Sequence, residues 1–454
     1  MRYNNKRYIF AIENKICDMK NLLFAILTLS AVSVQAQTET SWTAQQCMKY
    51  AVEHNTQVHR AVLQLDNYKA QKTSAIGSFL PSVDASIGAN YNFGRAIDPE
   101  TNGYTNVSTF YNGYSVQAYL PVFDGFSRLN ALKAAKASLL MGRNALREQQ
   151  DKTALTTLQA WVDVVYYDKM VEIAQENQQE TELLLKQTQV MVEVGRKSAA
   201  DLAQIEAQHA ESAYELTCQQ NRYASALLTL KRQMAYPLQD SLFTVVSTLR
   251  TACPNVGTSS GTAFHPMVQQ QYHAMQVSRY ELNQARAGLY PTLSLSAGLS
   301  TTFYKTLHSQ NTSSFSEQIK NNKGEYVSAT LSIPLFNRLQ TISNIRRAKN
   351  DYQMARESFE DTQRELEKLN IEACQDLNAY ILQTRQMEKK VEADSLSYQL
   401  TRRRYEEGLS TAIDLHATAT QLLKSKATLM QCQLMTVVKE YFVRYYQGEQ
   451  IWTE

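Results

Sequence analysis

Apolar and polar positions alternate strictly in four short stretches of this chain. Val83, Ala85, Ile87, Ala89, Tyr91 and Phe93 are separated by Ser82, Asp84, Ser86, Gly88, Asn90 and Asn92. Tyr114, Val116, Ala118, Leu120 and Val122 do the same, as do Leu293, Leu295, Ala297 and Leu299, and Val327, Ala329, Leu331 and Ile333. A period of two over roughly 9–11 residues predicts strands with one apolar face, the pattern of membrane-spanning strands. The expected strands cover about 81–94, 113–123, 291–304 and 325–336. Aromatic residues gather at their distal ends (Tyr91, Phe93, Tyr111, Tyr114, Phe303, Tyr304, Tyr326), where an interfacial girdle would lie. The intervening stretches, about 95–110 and 306–325, are polar and read as loops.

Between these stretches the pattern becomes helical. No proline occurs from Asp124 to Val194 or from Asn337 to Glu407, and the only glycines there are Gly125 and Gly142. Each run predicts a helix of roughly 105 Å at 1.5 Å per residue. In the second run Ile345, Tyr352, Phe359, Leu366, Ala373, Tyr380 and Met387 recur at seven. A second seam, Leu377, Thr384, Val391, Tyr398 and Tyr405, then takes over with a shift of four, as in a coiled coil that changes register. Shorter helices are expected over about 198–236, with Leu202, His209, Leu216, Tyr223 and Leu230 at seven, and over about 411–447.

Each long run ends on one glycine. Gly195 stands in "EVGRKSAADLAQ" and Gly408 in "EEGLSTAIDLHA". Glycine suits the left-handed position that ends a helix. Ser198-x-x-Asp201 and Thr411-x-x-Asp414 are capping boxes for a returning helix, with Asp in place of the usual Glu. The chain is therefore expected to reverse at 194–198 and 407–411.

The two halves are copies. Gly195, Ser198 and Asp201 match Gly408, Thr411 and Asp414 at an offset of 213 residues. "SFLPSVDASIGANYNF" matches "GLYPTLSLSAGLSTTF", and "YLPVFDGFSRLNALKAAKAS" matches "SIPLFNRLQTISNIRRAKND". Pro81 pairs with Pro291 and Pro121 with Pro334. Proline cannot continue a helix or donate to a central ladder, so all four are expected at helix–strand junctions. The first repeat is assigned to 37–236, the second to 266–454, and the stretch 237–265, with Pro237, Pro254, Gly257 and Gly261, to a linker.

Composition changes this picture in two respects. "MKNLLFAILTLSAVSVQAQ" has the layout of a signal peptide from Met19, with cleavage expected after Ala36 and residues 1–18 preceding the true start. Removing 1–36 takes out five of 46 basic and two of 43 acidic residues, leaving 41 of each. A neutral chain gives no support for a nucleic-acid partner. Cys47, Cys218, Cys253, Cys374 and Cys432 are too scattered for a disulfide framework and read as small apolar residues. After Ala36 no apolar run approaches the roughly 20 residues of a spanning helix. The chain is then soluble or crosses a membrane by strands.

Four strands cannot close a barrel, and an open sheet edge in lipid leaves backbone groups unsatisfied. Single-chain barrels start at about eight strands, so several copies are expected to share one. Two hairpins of a soluble β-sandwich are the alternative. That reading leaves unexplained why strands come as two isolated pairs flanked by very long helices.

The duplicated helix–hairpin–helix unit, the entries "LPSVDASIG" and "YPTLSLSAG", the exits "LPVFDG" and "IPLFN", and the paired Gly-x-x-[ST]-x-x-Asp-Leu turns together resemble the TolC-like outer-membrane efflux proteins, over about residues 42–447. The resemblance implies a mainly α protein with a membrane β-barrel part. Three chains would contribute four strands each to a shared 12-stranded barrel, and their coiled-coil-like helices would form a periplasmic α-barrel. It implies a conduit embedded in outer-membrane lipid, closed at its helical tip. The conduit would open when a periplasmic adaptor and an inner-membrane transporter of RND or ABC type dock. Gly195, Ser198, Asp201, Tyr405, Gly408, Thr411 and Asp414 are the implied tip and gate residues. Six carboxylates meeting at a constriction would raise one another's pKa. Related ducts often carry a second carboxylate where this chain has Ala417, and some lock the gate with an Arg where it has Ser410.

No convergent catalytic site is visible, so neither an enzyme nor a cofactor is expected. His265, Met267, His273 and Met275 fall in one stretch and would suit a soft metal, but residues eight apart share a helix face only loosely. No metal site is assigned. Arg402-Arg403-Arg404 reads as a solvated face or an interhelical ion-pair site. A coiled-coil or adhesin-type anchor without transport is the competing function. The duplicated hairpins argue against it.

Overall fold

The computed structural model describes residues 41–97, 102–106, 108–244, 264–307 and 313–452. The expected signal segment 1–36 and most of the linker 237–265 lie outside these residues. The elements run β1 (Ser41–Trp42), α1 (Ala44–His54), α2 (Thr56–Gly77), β2 (Ser82–Asn92), β3 (Arg95–Ile97), β4 (Tyr104–Asn106), β5 (Thr109–Phe123), α3 (Ser127–Glu193) and α4 (Ala199–Met234). The chain continues with β6 (Phe243–Thr244), α5 (Pro266–Ala287), β7 (Thr292–Thr306), α6 (Phe315–Asn321), β8 (Gly324–Ser332), α7 (Gln340–Glu406) and α8 (Ala412–Tyr446). Each half reads helix, hairpin, long helix, return helix.

The four long strands form one antiparallel sheet in the order β2-β5-β7-β8. The two hairpins meet through β5 and β7, so Val116 faces Leu299 and Ser115 faces Ser300. Because side chains alternate, this register puts Val83, Ile87, Val116, Leu299 and Val327 on one face and Ser86, Ser115, Gln117, Ser296 and Thr330 on the other. Hydroxyls pair across the polar face, Ser86 Oγ to Ser115 Oγ at 2.7 Å and Ser296 Oγ to Ser328 Oγ at 2.9 Å. On the apolar face the distal ends carry a chain of ring contacts, Tyr91–Phe110, Phe110–Phe303 and Phe303–Phe315. Within the chain β2 and β8 each pair on one side only.

Several sequence expectations need correction. The fourth strand stops at Ser332, not near 336, because its partner β7 begins at Thr292, opposite Ser332, and Pro334 follows closely. The second strand starts at Thr109 rather than 113 and runs through Pro121, which is no helix–strand junction. The β5–β7 register shifts between Pro121 and Phe123, beside a residue that has no N–H to donate. Pro81 and Pro291 do stand at helix-to-strand junctions, immediately before β2 and β7, and Pro334 lies in the link from β8 to α7. The polar stretches are not wholly loop. The first contains the β3–β4 hairpin and the second α6. The signal for α6 was present as Ser314-x-x-Glu317, whose Ser314 Oγ accepts from Glu317 N at 3.3 Å. Gln318 then completes the exposed upper edge of β7. Its amide accepts from Tyr304 N and donates to Tyr304 O, both at 2.9 Å.

The long helices α3 and α7 have 67 residues each. Both follow two left-handed residues, Gly125 (φ 66) and Phe126 (φ 68) before α3, Arg338 (φ 54) and Leu339 (φ 63) before α7. The duplication thus extends to backbone angles where the side chains differ. The seam of α4 is wider than expected, with Leu202, His209, Leu216 and Tyr223 half-buried and Leu230 fully buried in the main core. A second buried series, Ile205, Ser212, Gln219 and Ala226, lies three positions on, so the two together form one stripe. The main core lies at the waist, where α1, the middle of α3 and the ends of α4 and α8 enclose Met48, Leu158, Trp161, Met234 and Ile451. β1 and β6 pair in parallel beside it, and Trp161 Nε1 donates to Trp42 O at 3.4 Å.

The two long helices differ in how much of their surface the chain itself covers. Nineteen residues of α3 are buried but only four of α7. Met354, Ile371, Leu382 and Leu396 on α7 remain more than half exposed. Among the described residues, no helix is long and apolar enough to cross a membrane.

Candidate gate at the helical tips

At both tips the chain ends one helix and caps the next within a few residues. After α3, Arg196 N donates to Met191 O at 2.8 Å and Gly195 N to Val192 O at 3.0 Å. After α7, Leu409 N donates to Arg404 O at 2.8 Å and Gly408 N to Tyr405 O at 3.0 Å. This is the Schellman arrangement, and it needs a left-handed residue, supplied by Gly195 (φ 75) and Gly408 (φ 81).

The returning helices start on reciprocal capping boxes. Asp201 N donates to Ser198 Oγ at 3.1 Å, while Ser198 N and Oγ donate to Asp201 Oδ2 at 3.2 and 2.8 Å. Asp414 N donates to Thr411 Oγ1 at 3.2 Å, while Thr411 N and Oγ1 donate to Asp414 Oδ2 at 3.2 and 2.7 Å. Ser410 adds an Oγ donor to Asp414 Oδ2 at 3.3 Å. These bonds, the side-chain ones first, hold both carboxyl groups below the usual carboxylate range. That is opposite in direction to the rise expected from mutual repulsion, because within one chain each carboxylate meets donors rather than another carboxylate. All the bonds fall on Oδ2 and leave Oδ1 free at the tip.

Tyr405 joins the two tips. It leaves α7 one turn before the reversal, is 1% exposed, and packs with Leu184 of α3, Ile205 of α4, and Ala412 and Leu415 of α8. Its hydroxyl lies 3.2 Å from Thr188 Oγ1. Thr188 already donates to Leu184 O at 2.8 Å, so Tyr405 is the donor. Lys197 Nζ sits 3.9 Å above the Tyr405 ring, a cation–π contact from the other tip. One turn toward the waist, Arg402 Nη1 donates to Glu180 Oε1 at 2.5 Å. The Tyr398 hydroxyl hydrogen-bonds Glu180 as well, and burial pushes its pKa up. Beyond this plug the two hairpins flank a groove of about 360 Å³ lined by Met170, Ile173, Gln208 and Lys424.

Gly195, Ser198, Asp201, Tyr405, Gly408, Thr411 and Asp414 therefore meet at one end of the molecule, and Pro81, Pro121, Pro291 and Pro334 belong to the sheet end. Glu180, Thr188 and Lys197 were not singled out from sequence. Nothing in their local pattern marks them, since their partners are more than 200 residues away. Arg402 belongs to the interhelical ion-pair reading, whereas Arg403 and Arg404 are exposed. Among the described residues no three His, Cys, Asp or Glu side chains converge on a metal-sized site. His265 instead caps α5, its Nδ1 accepting from Met267 N at 3.3 Å.

The outer membrane efflux protein family model matches residues 48–235 and 262–440. The outer membrane efflux protein BepC of Brucella suis is 22% identical over 427 residues, covering 93% of this chain and 89% of that protein. The proteases secretion protein PrtF of Dickeya chrysanthemi is 22% identical over 359 residues, covering 76% and 73%. The Campylobacter jejuni CmeC outer membrane channel superposes with a TM-score of 0.78 at 17% identity, covering 92% of this chain and 90% of that one. A duplicated fold with four strands at one end and capped helical reversals at the other, matched along most of its length by the family model, places the chain in the outer membrane efflux protein family.

Proposed function

We propose that three copies of this chain form an outer-membrane conduit that passively carries cargo delivered by a periplasmic adaptor and an inner-membrane transporter of RND or ABC type. The carrying observation is the four-stranded sheet. It has one apolar face, one polar face, and two outer strands, β2 and β8, that each pair on one side only. In lipid such edges must be closed, and β8 of one copy meeting β2 of the next gives a twelve-stranded ring with the polar face inside. The exposed apolar residues of α7 then meet a neighbouring copy beneath the barrel. The reading takes 1–36 as a removed signal segment, 37–236 and 266–454 as the two repeats, and 237–265 as their linker.

In this reading the helical tips form the gate and the adaptor's docking end. Tyr405 and the Arg402–Glu180 pair hold the second hairpin against the first, and Asp201 and Asp414 set the charge of the entrance. The relatives' names cover both efflux and protease secretion, so the type of cargo stays open between small molecules and proteins.

Purified protein reconstituted in planar bilayers tests this. A trimer with single-channel conductance is expected. A detergent-stable monomer with full strand content would overturn the shared barrel, and a trimer without conductance would favour a structural anchor.

A further inference from the structure

Asp84 is the one charged side chain on the polar face of the four-stranded sheet. On that face β2 presents Ser82, Asp84, Ser86, Gly88, Asn90 and Asn92. The register of β5, β7 and β8 adds only serine, threonine, tyrosine, glutamine, glycine and proline to it. Lys305, at the distal end of β7, and Glu325, opposite Leu299 in the middle of that strand, are the other charged residues of these strands and fall on the apolar face. Asp84 is exposed and lies directly opposite the neutral Gln117. Its neighbour Ser86 already shares a hydrogen bond with Ser115. No described residue forms a hydrogen bond or ion pair with the Asp84 carboxylate.

A carboxylate in a membrane-spanning strand is costly unless it faces water, and one without a counter-ion marks a functional position. We propose that Asp84 sets the charge preference of the barrel lumen, three copies forming a ring of unneutralised carboxylates near its helical end that draws cations and slows anions. The inference rests on the trimeric conduit proposed above and goes beyond it, because it concerns the barrel and not the tips. Strand β8 of the adjoining copy cannot neutralise the ring, since its polar face carries Tyr326, Ser328, Thr330 and Ser332.

The geometry also fixes how the effect depends on salt. Twelve strands spaced about 4.8 Å apart and tilted about 40° enclose a ring of roughly 12 Å radius. That radius is close to the screening length of about 10 Å at 0.1 M salt and far above the roughly 3 Å at 1 M. The lumen is therefore biased at low salt and indifferent at high salt.

Reversal potentials of Asp84→Asn and Asp84→Lys channels test the inference. In about 0.1 M salt Asp84→Asn is expected to lower the cation-to-anion permeability ratio about twofold, and Asp84→Lys to shift it further toward anions, with the differences vanishing near 1 M. A second measurement reads the barrel independently of the tips. With Ser86→Cys as a probe and parent labelling subtracted, cationic and anionic thiol reagents of equal size are added from the outside. The ratio of their rates should fall when Asp84→Asn is introduced. Normally conducting variants with unchanged selectivity and unchanged rate ratio would overturn the role of Asp84 and leave the conduit standing. Failure of the parent chain to form a conducting trimer would overturn both.

Discussion

Arg402 and Glu180 lie 222 residues apart in sequence and 2.5 Å apart in space. The pair bridges the long helix of the second repeat to that of the first, and Arg402 also reaches Glu406 at 3.3 Å on its own helix. Tyr398 reaches Glu180 as well, and Tyr405 donates to Thr188 one turn nearer the tip, so several polar ties join the two hairpins of each copy.

Both partners of the ion pair are about one-third exposed, so their coupling should be about 1 kcal/mol in a double-mutant cycle. Arg402→Ala or Glu180→Ala is expected to loosen the second hairpin and raise resting conductance. The exchanged pair, Arg402→Glu with Glu180→Arg, should return conductance toward the parent value. An exchanged pair as leaky as the single variants would show that the contact does not hold the gate.

Asp414→Asn separates the two roles of its carboxylate. Asn retains an acceptor for Thr411 N and Oγ1, so the cap survives and Tm should fall by no more than about 3 °C. The charge is lost. Since the cap bonds hold the Asp414 pKa low, the parent carboxylate is ionised throughout the neutral range. The variant should therefore show weaker cation selectivity and weaker block by a trivalent cation in planar bilayers. Unchanged selectivity and block together with lowered thermal stability would reduce the residue to a helix cap.

At the waist, burial pushes Asp151 up to about 6 although it accepts from Trp452 Nε1 at 3.0 Å. Burial and the neighbouring Arg147 pull His265 down to about 4. The two groups act on stability in opposite directions. Folded Asp151 holds a proton that the unfolded chain releases above about 3.9, so its contribution is lost as pH rises toward 6. Unfolded His265 takes up a proton below about 6.5 that the folded group refuses, so its contribution is lost as pH falls toward 4. Asp151→Asn removes the first effect and keeps an acceptor for Trp452. The variant should be stabilised at pH 7 by up to about 3 kcal/mol, and its stability should rise with pH between 4 and 6.5. Thermal midpoints of parent and variant across pH 4–8 check both signs.

What the sequence determined by itself was local and repeated. Gly195 and Gly408 end their helices because left-handed backbone is a property of one residue, and Ser198 and Thr411 cap the next helix through a bond only three residues long. The alternation at Val83–Phe93 and Leu293–Leu299 assigned an apolar and a polar face without any knowledge of partners. Even the α6 start was written in Ser314 and Glu317, though its polar surroundings read as loop. Tertiary structure decided what lay between distant segments. The joining of β5 to β7 brings two separately legible hairpins into one sheet, and only their register isolates Asp84 on a neutral face. Pro121 was read as a boundary because proline breaks ladders, yet a register shift beside it lets the strand continue. The partners of Tyr405 and Arg402 depend on the rotation of four helices about one another. A small phase difference accumulated over 67 residues would turn Thr188 and Glu180 away, and no short-range pattern records that phase.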